Sequence, residues 1–132
     1  MTQLYTCSYR AFKPGMGQPV VISLTVPKWL PEAAEWPRCH LISPRWAYFL
    51  RQEDRTEVTV AEFTRQYTEQ LDGYGPAKIA RILHMIARQH AADSLILLCH
   101  ESDVDRCHRG MFARWLMERT GEIAGELAPA SK

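Results

Sequence analysis

The chain has 132 residues, 46% of them hydrophobic, which suffices for one globular domain with a single core and excludes a composition too polar to fold. Sixteen Lys and Arg stand against fifteen Asp and Glu, a net charge of +1, so no chain-wide field argues for nucleic-acid or membrane binding and any basic surface must be local. No apolar run reaches the roughly 18 residues of a spanning helix, and the opening MTQLYTCSYR lacks the core of a signal peptide, so a cytoplasmic protein with reduced Cys7, Cys39, Cys99 and Cys107 is expected.

In chain order, Gln3 to Cys7 and Pro19 to Val26 are β-prone runs, and His40 to Ile42 is a shorter one that stops before Ser43-Pro44. Between them, Arg10 to Gln18 and Pro27 to Pro37 carry the glycines and prolines of irregular segments, the second with Trp29 and Trp36. Pro44 to Leu50 can start a short helix. Val60, Phe63, Tyr67 and Leu71 mark an apolar stripe that ends near Asp72-Gly73. After Gly75-Pro76, the spacing of Ile79, Ile82, Leu83 and Ile86 predicts a helix laid on a sheet. SLILLC at 94–99 is a continuous apolar run of strand length, the central strand of the prediction. Another helix starts near Arg106, buries Phe112, Trp115 and Leu116, and stops at Thr120-Gly121. A last short strand falls near Glu122 to Leu127. The alternation predicts one α/β domain over residues 1–127, with an open, mainly parallel sheet and helices on both faces, and a frayed tail at 128–132.

Ligands of open α/β sheets bind beyond the carboxyl ends of the strands. Three segments occupy such positions: Cys7-Ser8-Tyr9-Arg10, Ser43-Pro44-Arg45-Trp46 and Cys99-His100-Glu101. The last leads to Arg106, Cys107, His108 and Arg109 in the first helical turn, with Ser102, Asp103 or Asp105 as the cap. That turn has unpaired N–H groups and the positive end of the helix dipole, and two guanidinium groups add to it, so an anion site is expected there. The same field favours a thiolate at Cys107, with His108 or His100 as proton acceptor; a core role for that sulfur is the competing reading, since the helix buries one face. Alternation leaves the direction of Cys99 undecided. Glu101 could serve as general acid or base, or lock Arg109 or Arg10 in place. His40, His84 and His90 read as surface or packing residues.

Cys-His occurs at 39–40, 99–100 and 107–108, which keeps a zinc site open, but there is no Cys-x-x-Cys and no spaced His pair, so no metal ligands are assigned. Cys99 to Arg106 lacks the glycines of a phosphatase-type anion loop, and neither a dinucleotide fingerprint nor a phosphate-binding P-loop is present.

The segment LLCHESDVDRCHRGMFARWLMERTG resembles the signature of the family called domain of unknown function 488, whose members carry Leu-Leu-Cys-x-Glu followed by Cys-His-Arg at a helix start. The likeness extends more loosely to LYTCSYR, VPKWLP, ISPRWAYF and FTRQYTEQLDGYGPAKI. It implies a compact Rossmann-like domain and marks Ser8, Arg10, Cys99, Glu101, Cys107, His108 and Arg109. The first element departs from the commoner Thr-Ile-Gly-His-Ser form, with Cys7 and Tyr9 in place of the small and imidazole positions.

Two functions are compatible with this pattern. One is an enzyme acting on a nucleotide or nucleic-acid base: Glu101, His108, Cys107 and Cys99 form its catalytic set, while Ser8, Arg10, Arg106, Arg109 and Trp46 hold the ligand. The other is a non-catalytic module binding an anionic ligand or nucleic acid through the same arginines. A thiol redox role through Cys99 and Cys107 is a third reading.

Overall fold

The computed structural model describes residues 2–45, 59–100 and 107–127. Four strands, β1 (Gln3–Ser8), β2 (Gln18–Val21), β3 (Ser94–Cys99) and β4 (Gly125–Glu126), form one sheet in the order β2-β3-β1-β4. Every pairing is parallel, with Gln3 opposite Ser94 and Gln18 opposite Leu95. Among the described residues, three α-helices accompany it: α1 (Val60–Tyr74), α2 (Pro76–Gln89) and α3 (His108–Thr120). The expected α/β fold with an open parallel sheet and β3 at its centre is thus the observed one. No helix among the described residues is long and apolar enough to cross a membrane.

The two faces of the sheet are covered differently. Leu4, Val20, Leu95 and Leu97 point to the side where Ile79 and Leu83 of α2 and Phe112 and Trp115 of α3 pack. On the opposite side, Cys7, Tyr9, Ile96 and Leu98 lie under Phe12, Leu30, Ala33 and Trp36. That second cover consists of the two Gly/Pro-containing connections and a short 3₁₀ helix, Pro31–Glu35. Helical cover therefore exists on both faces, but all three described α-helices share one. Both faces being closed explains why SLILLC is apolar at every position after its serine.

Local chemistry sets the boundaries. Thr59 caps α1 by accepting from the Glu62 N–H, and Gly75, at φ +86°, both ends α1 and precedes Pro76 at the start of α2. α1 thus ends at Tyr74, one residue past the Asp72-Gly73 stop expected from sequence. Gly121, in the left-handed conformation, closes α3 with its N–H bonded to the Met117 carbonyl. Gly17 is required by proximity: a Cβ there would stand 2.5 Å from Ser94 Oγ and 3.0 Å from Ile96 Cδ1.

Two expected strands need correction. β2 stops at Val21 instead of Val26, because Ser23 Oγ donates to the Thr25 carbonyl and Arg38 donates to the carbonyls of Ser23 and Leu24, folding the chain away from β3. His40 to Ile42 is a turn, and the bridge beside β2 falls at Arg38 instead, opposite Val21. The carbonyls that a strand would offer a neighbour are taken by side chains: Gln70 donates to Leu41 and Ser43, and Tyr67 donates to Ile42. The helix expected at Pro44 to Leu50 falls largely outside the described residues.

Asp72 joins α1 to α3. Its carboxylate accepts from Trp115 Nε1 at 2.8 Å and from Arg119 Nε and Nη2 at 3.1 and 3.0 Å. Those hydrogen bonds, Arg119's first and Trp115's second, hold the Asp72 carboxyl below its ordinary value of 3.8. A depressed carboxyl pKa stabilises the fold above the unfolded-state value and is lost as pH falls through the folded-state value. Asp72→Ala should lower Tm at pH 7 by roughly 3–6 °C, and the difference from wild type should shrink as thermal melts are repeated below pH 4.

Candidate active site

The carboxyl end of β3 and the start of α3 meet on the helical face of the sheet. Cys99, the last residue of β3, shares that face with Leu95 and Leu97 and is fully buried. Cys107 is the N-cap residue of α3, with extended backbone, so the cap expected from Ser102, Asp103 or Asp105 is not the one observed. Its sulfur meets that of Cys99 in a disulfide, their Cα atoms 7.3 Å apart. The expectation that all four cysteines are reduced is therefore corrected for this pair: compartment and composition say nothing of a strand end and a helix start that the fold brings together.

Cys7 and Cys39 are free and buried. Burial pushes the Cys7 thiol up to about 11, with the charge of Glu126 adding to it, and burial also raises Cys39. Both stay protonated near neutrality and are inert in the folded state.

His108 follows directly. Its Nε2–H donates to the Ile22 carbonyl at 2.6 Å, which leaves Nδ1 as the unprotonated nitrogen, 3.9 Å from Cys107 Sγ. Burial lowers its pKa to about 4 despite that carbonyl, so the ring is neutral at pH 7 and a thiolate–imidazolium pair with Cys107 is disfavoured. Tyr67 packs edge-on against the ring, with centroids 5.7 Å apart.

Arg109 is fully buried, contrary to its expected place at an anion site. Its Nε and Nη2 donate to the Glu126 carboxylate at 3.0 and 2.9 Å, and Nη1 donates to Cys99 Sγ at 3.2 Å. Glu126 belongs to β4 and also accepts from Thr6 Oγ1 at 2.7 Å. Sequence reasoning passed over Glu126. The signal available was an acid in the last strand, next to a helix whose arginine lies on the buried stripe and needs a countercharge.

The remaining candidates lie apart from this cluster. Ser8, nearly buried, accepts the Ala11 N–H on Oγ and closes the turn after β1. Arg10 is exposed, with its guanidinium 5.7 Å from the centroid of the exposed Trp29 ring. His100 is exposed and bonds the Thr25 carbonyl at 2.7 Å, and its ring lies 5.1 Å from Tyr9. Tyr9 donates to Ser23 Oγ at 2.6 Å, because the Ser23 hydroxyl is committed to Thr25. Glu101, Arg106 and Trp46 lie outside the described residues.

Among the described residues, one group of three or more potential metal-ligating side chains converges: Cys99, Cys107 and His108, with donor atoms all within 4.8 Å of one another. Beneath it, the guanidinium of Arg109 carries no exposure while Glu126 keeps 29% of its side chain exposed. Removing the carboxylate strands a buried cation, so Glu126→Ala should cost about 3 kcal/mol, at the low end for a buried pair because water can reach the vacated position. Urea unfolding of Glu126→Ala, Arg109→Met and the double variant measures this, and the double variant should be more stable than Glu126→Ala alone.

No curated protein and no solved structure matches the chain. One family model does, described as the active DUF488-N3 subclade, over residues 6–120. The match takes in both ends of the cluster, from β1 to the last turn of α3, and the resemblance carried by LLCHE and CHRG is thereby shown: the chain belongs to the DUF488 family, within its DUF488-N3 subclade.

Proposed function

We propose that the protein is an enzyme whose reactive centre is the Cys99–Cys107–His108 cluster, acting on a nucleotide or nucleic-acid base brought to the carboxyl edge of the sheet. The observation that carries this reading is the convergence of two sulfurs and one unprotonated imidazole nitrogen within 4.8 Å, at the edge where parallel α/β sheets bind ligands. The word "active" in the subclade's description agrees with it.

In this reading the sulfurs supply the nucleophile. Arg109 donates to Cys99 Sγ, which favours its thiolate once the disulfide is reduced, and the start of α3 adds its dipole. His108 Nδ1, neutral and facing Cys107, accepts a hydrogen bond from that thiol and orients its sulfur. Glu101 is assigned general acid–base work. Arg10 with Trp29 offers a guanidinium beside an exposed aromatic face, a pairing suited to a phosphate next to a base, and Trp46, Ser8 and Arg106 complete the ligand set. The burial of Arg109 against Glu126 weakens the non-catalytic anion-binding alternative, which depends on that guanidinium being offered to a ligand.

The disulfide favours a second reading, a dithiol–disulfide centre. There, two thiols pass two electrons and two protons to hydrogen peroxide, giving the disulfide and two waters. A thiol count under denaturing conditions should go from four in reduced protein to two after peroxide, with Cys99 and Cys107 in one cross-linked peptide. A count that stays at four rejects this reading.

The enzymatic reading is tested by incubating reduced protein with nucleotides and short oligonucleotides and following product by mass spectrometry. Turnover should fall at least about 100-fold in Cys99→Ser, Glu101→Gln and His108→Ala, the range expected when a nucleophile or an acid–base group is removed. Turnover that is unchanged in all three would show that this cluster is not the catalyst.

A further inference from the structure

The cluster has a property that thiol chemistry alone leaves unexplained. His108 commits Nε2 to a backbone carbonyl and turns Nδ1, its lone-pair nitrogen, toward sulfur. A ring fixed through a carbonyl on one nitrogen, with the other presented to its neighbours, is the arrangement of metal-ligating histidines.

Distance and charge point the same way. With about 2.3 Å from zinc to sulfur and about 2.0 Å to nitrogen, a sulfur and a nitrogen at two corners of a tetrahedron stand roughly 3.6 Å apart. Cys107 Sγ and His108 Nδ1 are separated by 3.9 Å. The Cα atoms of Cys99 and Cys107 are 7.3 Å apart. Most disulfides span about 4.4–6.8 Å, and the wider spacing suits two sulfurs that share an ion. Two thiolates also bring two negative charges into a site where Cys99 is fully buried and Cys107 nearly so. Arg109 supports Cys99 Sγ, but its single charge is shared with the Glu126 carboxylate and cannot balance two thiolates. A divalent cation balances the pair.

We propose that the reduced cluster binds one zinc-like divalent ion through Cys99 Sγ, Cys107 Sγ and His108 Nδ1. This rests on the placement of the reactive centre proposed above, and it changes the role of these three side chains there from nucleophile and hydrogen-bond acceptor to ligands of a cofactor. Three protein donors are the number found in catalytic zinc sites, where the fourth position takes water or substrate. The Ile22 carbonyl on His108 and the Arg109 guanidinium on Cys99 are the supporting contacts. The disulfide and the ion are alternative occupants, since a disulfide sulfur has no thiolate to donate. Adjacent Cys107 and His108 can both reach the ion because they straddle the cap of α3: Cys107 has extended backbone and His108 is the first helical residue.

The test is a Co²⁺ titration of the full chain, reduced with a phosphine and handled without oxygen, followed by absorption. Wild type should bind one Co²⁺ with a sulfur-to-cobalt charge-transfer band in the near ultraviolet, which Zn²⁺ then bleaches. The band should weaken in Cys99→Ser and in Cys107→Ser, vanish in the double variant, and persist in Cys39→Ser. Reduced wild type without the band overturns the inference, as does a band that survives the Cys99/Cys107 double substitution, which would move the ion to other thiols. Because wild type alone decides the first point, misfolding of a variant cannot rescue the idea. The readout is independent of turnover: cysteine-dependent turnover without cobalt binding removes the metal and keeps the enzyme, and cobalt binding with unaffected turnover does the reverse.

Discussion

A guanidinium with no exposure to water is the constraint around which the carboxyl edge of this sheet is organised. Burying such a charge unpaired costs several kcal/mol, so Arg109 can enter the core only if a carboxylate follows it. Glu126 does so from β4, and Thr6 of β1 holds that carboxylate in turn. The pair therefore fixes three things together: the start of α3, the short edge strand β4, and their position against β1. Its remaining reach, Nη1 to Cys99 Sγ, extends the same network to the end of β3. With the first turn of α3 anchored, Cys107 and His108 are held against Cys99.

The two faces of the sheet divide the labour. One carries all three described α-helices, the larger part of the core and the Cys/His cluster. The other is closed by connections that a first reading treats as loops, built around Phe12, Ala33 and Trp36. A parallel sheet must be covered on both sides, and among the described residues the second side is covered by ordered Gly/Pro-containing segments. Side-chain chemistry divides along the same line: Arg10 and Trp29 present charge and aromatic surface from these segments, while the sulfurs lie on the helical side.

Much of this architecture was legible beforehand, for physical reasons. α2 announces itself because one apolar stripe at helical spacing follows a Gly-Pro start, and β3 because a strand closed on both faces must be apolar throughout. The errors arose where side chains compete for backbone groups. Pro19 to Val26 is uniformly β-prone, yet Ser23 and Arg38 capture the carbonyls that would have continued the ladder. His40 to Ile42 lost its carbonyls to Gln70 and Tyr67, residues almost thirty positions away that no local pattern couples to them.

By itself the sequence determined most element types, a mainly parallel sheet with residues 94–99 at its centre and the concentration of chemistry at 99–109, since periodicity, turn residues and motif spacing are local properties that each segment carries with it. Only the tertiary structure decided what those residues face. Whether Cys99 looks toward the helices depends on register with β1, and whether Arg109 serves a ligand or the core depends on an acid in a two-residue strand seventeen positions on. Which histidine nitrogen is left for chemistry depends on a carbonyl at Ile22, eighty-six positions back in the chain. Orientation, burial and pairing come from contacts between distant segments, and these decide which of a crowded dozen residues come together and which are turned away.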